Sequence, residues 1–183
     1  RRAAAITADG FARAIAETRP DRYEYEIEAV LRHAFRSGGS ERPAYQPIVG
    51  SGPNATILHH RRNDRRMRAG ELLLIDAGAE YGFYAADVTR TFPVGGKFTR
   101  PQRSIYEIVL GAQTAAIAAT RPGATIDEIH RSAVDVVVQG LFDLGILSGA
   151  RDEAIEKSTF KPYFMHRTSH WLGMDVHDVG RYF

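Results

Sequence analysis

The dipeptide Tyr81-Gly82 constrains this chain more than any other feature. It stands between the apolar run Leu72-Leu73-Leu74-Ile75 and a β-rich run over residues 83–92, the pattern of an antiparallel hairpin. With these two residues as the turn, Glu80 pairs with Phe83. Each step outward keeps the sum of the paired numbers constant, which brings Asp76 opposite Asp87 with both side chains on one face. Directly opposed residues have Cβ atoms about 4.5–5.5 Å apart. Two ionised carboxylates at that separation repel by roughly 3 kcal/mol at an effective dielectric near 20. A shared proton or a pair of divalent cations would relieve the repulsion. The plain alternative is a twisted or bulged hairpin in which both acids are solvated.

Helical and loop patterns flank the hairpin. Ile6, Phe11 and Ile15 give a helical apolar pattern over residues 3–18, stopped by Arg19-Pro20. Ile27, Leu31, Ala34 and Phe35 give a second apolar stripe, between Asp21 as a cap and the breaker Gly38-Gly39. Residues 43–58 read as loop and short strand, with Thr56-Ile57-Leu58 as a β-like piece. Two longer helices follow. One comes after Thr99 and Pro101, the other after Thr125 with Glu128 three residues on, a capping box, and Gly145 closes it. A polar stretch over residues 148–157 leads to a last segment expected to include a strand. Helices, hairpin, helices and strand make the class α+β.

That last segment carries the second chemical signal, His166-Arg-Thr-Ser-His170-Trp-Leu-Gly-Met-Asp-Val-His177-Asp178. Neutral imidazole is both a common metal ligand and a proton carrier near neutral pH. His166 and His170 are four apart, as in helical zinc proteases, but the intervening Glu that serves as base there is missing and Gly173 argues against a long helix. Taken one at a time, each of these histidines reads better as a hydrogen-bonded structural imidazole, and the aspartate pair reverses that reading for the group.

The run His166 to Asp178, the aspartates in Leu74-Ile75-Asp76-Ala77-Gly78 and Ala86-Asp87-Val88-Thr89-Arg90-Thr91-Phe92, and Ile57-Leu58-His59 together resemble the aminopeptidase P and prolidase family of metallopeptidases. The resemblance runs from about Arg1 to the end of the chain. It implies the pita-bread (creatinase/aminopeptidase-like) fold, incomplete at its C-terminus, with residues 1–183 as the N-terminal portion of the catalytic domain and a separate N-terminal domain absent. It also implies two divalent metal ions, with manganese the expected metal, and removal of an N-terminal residue that precedes proline. Carried over by motif, Asp76, Asp87 and His170 become metal ligands, with Asp87 bridging both ions. His59 and His177 become the histidines that hold substrate, stabilise the developing tetrahedral centre or move protons, and His166 a more peripheral member of the pocket. The family completes its site with two glutamates beyond the histidine run, and no glutamate follows His170 here. The 183-residue chain is therefore expected to be inactive by itself. A prolidase restricted to Xaa-Pro dipeptides, or a metal-free interaction module of the same fold, stays open on these motifs.

Composition excludes other classes. At 183 residues with 44% hydrophobic and 25% charged residues, the chain is globular rather than disordered. Twenty-four Lys+Arg against 22 Asp+Glu leave a formal charge of +2, too small for a broad nucleic-acid footprint. The basic run Arg61, Arg62, Arg65, Arg66 and Arg68 is interrupted by Asp64 and lacks interleaved aromatics, so it reads as a solvated loop face. No Cys occurs, which removes disulfides, thiolate zinc sites and a cysteine nucleophile. No apolar run approaches the roughly 18 residues of a membrane span. Composition thus leaves no nucleic acid and no membrane as expected partners and a cytoplasmic location, while the resemblance implies a peptide with proline in second position as the partner, and homo-oligomerisation is compatible.

Overall fold

The computed structural model describes residues 1–182. The chain divides into two compact units, the first comprising Arg1–Phe98 with Trp171–Val179 and the second Thr99–His170 with the last residues. Each is described by itself.

In the first unit, helices α1 (Arg2–Glu17) and α2 (Glu24–Ser37) pack on a three-stranded antiparallel sheet of order β1-β2-β5, where β1 is Ile48–Ser51, β2 is Leu72–Ala77 and β5 is Val88–Pro93. The expected stripe Ile27, Leu31, Ala34 and Phe35 is buried, whereas Ile15 of α1 is exposed and Ile6, Phe11 and Ala14 carry that helix's contact. In β2 the alternation of an antiparallel strand with one face on the core is clear. Leu73, Ile75 and Ala77 are fully buried against the helices, so Leu72, Leu74 and Asp76 point to the opposite face. The carboxylate is thus presented on the side of the sheet away from α1 and α2.

The hairpin forms one position later than the sequence suggests. Its tip is Gly82-Phe83, both with positive φ (57° and 69°), between β3 (Glu80–Tyr81) and β4 (Tyr84–Ala85). A tight turn whose two central residues are left-handed matches the right-handed twist of the strands, and Gly82 adopts that conformation without steric cost. Moving the turn by one residue moves every partner by two. Glu80 pairs with Ala85, and Asp76 pairs with Thr89 rather than Asp87. A shift of two preserves the face, so Asp87 lies diagonally across from Asp76 on the same side. Between β2 and β3 the backbones close in tightly. A Cβ on Gly78 would stand 1.6 Å from the Ala86 carbonyl oxygen, so only glycine fits there.

The free edge of β1 is closed by side chains instead of a strand. Asn63 accepts from the Val49 N–H (3.0 Å) and donates to the Pro47 carbonyl (2.9 Å), and Glu24 accepts from the Ser51 N–H (2.6 Å). Such plugs remove the unpaired backbone groups of an edge strand. Thr56-Ile57-Leu58 is not a strand. A 3-10 helix, Gly52–Thr56, follows β1 directly, because Gly52-Pro53 favours a turn over extension. Asp21 does not cap α2 either. It has φ +74°, and the N-cap is Tyr23, whose N–H donates to the Glu26 carboxylate at 2.7 Å.

The second unit is helical. Helices α3 (Arg100–Ala119) and α4 (Ile126–Asp143) start at Thr99 and Thr125, each with its capping box, and pack through Ala112 and Ala116 on Ile129, Ala133, Val137 and Leu141. The small alanines let the axes approach closely. The stretch read as polar loop contains a short helix, α5 (Arg151–Glu156), seated by Ala154. Among the described residues no strand occurs after β5, so the expected terminal strand is replaced by irregular structure. The tail is instead tied to α4. His130 Nδ1 lies 2.8 Å from Thr168 Oγ1, and Arg167 pairs with Asp127.

Gly78→Ala is expected to destabilise the protein by about 3 kcal/mol through overpacking against the Ala86 carbonyl, measured as a lower midpoint in urea unfolding with an unchanged m-value.

Candidate metal centre

Asp76 is held by β2, and Asp87 by the short segment between β4 and β5. Both are half-buried. The residue that joins them was not singled out in the sequence. The Tyr45 hydroxyl lies in hydrogen-bond contact with Asp76 Oδ1 and at 2.8 Å from Asp87 Oδ1. One oxygen touching both carboxylates puts their Oδ1 atoms within about twice a hydrogen-bond length, roughly 5–6 Å. Tyr45 reaches them because residues 42–44 run along β3 and the link before it. The Ala44 N–H donates to the Gly78 carbonyl (2.8 Å) and the Glu80 N–H to the Arg42 carbonyl (3.1 Å). The flanking Pro43 and Pro47 keep this segment extended, a local signal, but nothing in the spacing of Tyr45 from either aspartate announces the contact.

A phenol has one proton to give, so both carboxylates cannot be served equally when ionised. Burial is the main influence that pushes the Asp76 carboxyl above its usual range, and the nearby Asp87 charge adds to it. Hydrogen bonds from Tyr45 and Thr89 and the proximity of His59 act the other way. Burial, with the two carboxylates beside it, also drives the Tyr45 hydroxyl far upward, so it stays a proton donor at any ordinary pH. Two carboxylates are therefore crowded together here, and hard oxygen donors on one sheet face match a hard divalent cation. The residues present fit such an ion.

The remaining expected residues distribute between the units. His59 sits in the first unit, exposed, on a left-handed backbone (φ +56°), close enough to Asp76 to influence its ionisation. His177 is also in the first unit and exposed. Its loop is braced by Asp178, which accepts from the Met174 and Val179 N–H groups at 3.0 and 2.8 Å. The same loop docks on β4, where the Ala85 N–H donates to the Gly173 carbonyl at 2.8 Å, two residues before Asp87. His166 and His170 belong to the second unit, His166 exposed with Nδ1 2.9 Å from the Arg167 carbonyl oxygen and His170 half-buried. Among the described residues no three His, Asp or Glu side chains are gathered into one metal-holding cluster.

The profile of metallopeptidase family M24 matches residues 1–183. This chain belongs to that family. It is 50% identical over 182 residues to the Xaa-Pro aminopeptidase of Escherichia coli K12, a match that covers 100% of this chain and 41% of that protein. Its fold matches the structure of Pseudomonas aeruginosa aminopeptidase PepP with a TM-score of 0.97 at 49% identity, covering 99% of this chain and 41% of that one. A zinc-substituted E. coli aminopeptidase P in complex with product matches equally well, at a TM-score of 0.97 and 50% identity, over 99% of this chain and 41% of that one. The M24 chain described here thus spans about two fifths of the length of these relatives. Its mixed helix and sheet architecture agrees with the pita-bread fold that the sequence motifs imply. No helix among the described residues is long and apolar enough to cross a membrane.

Two outcomes follow from the crowded carboxylates. A carboxyl whose folded pKa is raised above its unfolded value stabilises the protonated fold, and that contribution is lost as pH rises through the folded pKa. In metal-free protein, Asp76→Asn should therefore raise Tm at neutral pH, with the difference shrinking as pH falls into the carboxylate range, read by scanning calorimetry. Tyr45→Phe removes the proton donor that orients both carboxylates, and is expected to weaken divalent-metal affinity by about 10- to 100-fold, read by titration calorimetry.

Proposed function

We propose that the protein carrying this chain is a proline-specific metalloaminopeptidase that hydrolyses the bond between an N-terminal residue and a following proline. The observation that carries the reading is the pair Asp76 and Asp87, held on one sheet face by a shared hydroxyl in an M24 chain half identical to an Xaa-Pro aminopeptidase. The chain is read as a portion of the catalytic domain of a longer protein.

In this reading Asp76 and Asp87 would be the carboxylate ligands, with Asp87 serving both ions by the resemblance, and His170 would be the imidazole ligand by the resemblance of its motif. Two divalent cations, manganese by preference, would supply an ionised water at neutral pH and polarise the scissile carbonyl. The zinc-substituted relative agrees with a site of moderate selectivity. Tyr45 keeps the carboxylates aimed by donating its proton to an oxygen. In this reading His59 and His177 hold the peptide and pass a proton toward the leaving proline nitrogen, and their exposure in the unit that carries the aspartates is compatible with that role. His166 is peripheral. The peptide is the partner. The +2 net charge and the ion pairs that neutralise Arg62, Arg65 and Arg66 with Asp64, Glu71 and Asp21 speak against nucleic acid. A cytoplasmic location is part of the same proposal, and a homo-oligomeric state is compatible with it.

The test uses the full-length protein with divalent metal. Release of the N-terminal residue from Xaa-Pro tripeptides, followed by mass spectrometry, is expected to outpace cleavage of Xaa-Pro dipeptides. The reverse order would make the protein a prolidase, and no hydrolysis of either would leave a non-catalytic module. Asp87→Asn should reduce bound metal from two ions to one or none per chain, measured by plasma mass spectrometry, and unchanged metal content would refute the bridging role.

A further inference from the structure

The most densely bonded acid in the first unit is not one of the expected ligands. Glu24, the first residue of α2, is fully buried. Its Oε1 accepts from the Ser51 N–H at 2.6 Å and the Ser51 hydroxyl at 2.8 Å. The Asn54 amide donates to both carboxylate oxygens at 3.1 Å, and Oε2 also accepts from the Arg65 N–H at 3.1 Å. His60 Nε2 stands 3.4 Å from Oε2 and accepts from the Asn63 N–H at 3.2 Å. The Arg65 guanidinium, doubly bonded to Glu71 at 2.6 Å, also donates to Ser51 Oγ at 3.0 Å.

A buried carboxylate is costly unless its oxygens are fully served, and all its hydrogen-bond partners here are donors from one stretch, residues 51–65. Ser51 and Asn54 lie before His59, and Arg65 after it. His59 therefore sits on a short span whose two ends are pinned to the same carboxylate. Its backbone is left-handed (φ +56°), a conformation a non-glycine residue keeps only when its surroundings impose it. The next residue, His60, is turned inward and buried, while His59 is left exposed on the side that feels Asp76.

We propose that Glu24 is a positioning residue for His59, pinning both ends of the 51–65 loop so that the imidazole stays exposed on its left-handed turn, in the unit that carries Asp76 and Asp87. The inference rests on the reading of His59 as a substrate-handling group for its consequence in turnover, but not for its structural content.

Glu24→Gln is the discriminating change. It keeps the shape, yet turns one acceptor into a donor facing Ser51, Asn54 or Arg65. In the full-length metal-loaded protein, hydrogen exchange at the Ile57 and His60 amides, which donate to Asn54 and Ile57 carbonyls, should accelerate while the β2 amides stay protected and metal content stays unchanged. Turnover should fall by about 10- to 100-fold, mainly in kcat. Adding His59→Ala to Glu24→Gln should cost much less than the product of the two single losses. Unchanged loop exchange, or fully multiplicative losses, would overturn the proposal. Faster loop exchange together with an unimpaired His59→Ala single variant would uphold the positioning and remove His59 from the reaction instead. Should Glu24→Gln fail to fold, Asn54→Ala, which takes one donor from the carboxylate, is expected to move the same readouts in the same direction.

Discussion

Two carboxylates on one face of an antiparallel sheet, drawn to a single tyrosine hydroxyl, are the constraint around which the first unit is arranged. Bringing Asp76 and Asp87 together costs electrostatic energy, and the fold meets that cost with geometry. The opposite face of β2 is packed with Leu73, Ile75 and Ala77 against α1 and α2, so the strand cannot rotate its acids away. The close passage of Gly78 under the Ala86 carbonyl brings the Asp87 segment within reach. Tyr45 comes from a third segment that pairs alongside the hairpin. None of these devices favours two anions by itself, and together they leave a cation as the natural completion.

The supporting structure uses polar side chains where a larger sheet would use a strand. Asn63 and Glu24 terminate β1, and in doing so they fix the loop that carries His59. Edge protection and site construction are thus the same set of hydrogen bonds, which explains why an acid is tolerated without exposure at the start of α2. The position also suits it, since the first turn of a helix offers a favourable field to a negative charge.

The hairpin shows how a sequence argument can err in register and still be right about faces. The turn moved from Tyr81-Gly82 to Gly82-Phe83, and Asp76 gained Thr89 as its partner in place of Asp87. The period of a strand is two and the displacement was two, so the carboxylates stayed together. Thr56-Ile57-Leu58, by contrast, had β-branched and apolar character but followed Gly52-Pro53, and the turn chemistry prevailed. The helix Arg151–Glu156 was missed because its residues are mostly charged, and a single buried alanine gives no periodic signal.

What the residues by themselves determined was the chemistry and its approximate location: apolar periodicity for α1 and α2, start signals at Thr99-Arg-Pro101 and the Thr125 capping box for α3 and α4, a hairpin that places two aspartates on one face, and histidine and aspartate motifs specific to one metallopeptidase family. These depend on near neighbours in the chain, and local spacing encodes them. The partners were decided by tertiary structure. Tyr45 meets aspartates 31 and 42 residues away, and Glu24 meets Ser51, Asn54 and Arg65 across comparable gaps. Such contacts exist only once helices, sheet and loop have packed, because no periodicity links residues that far apart and what selects them is the need of buried polar groups for a partner.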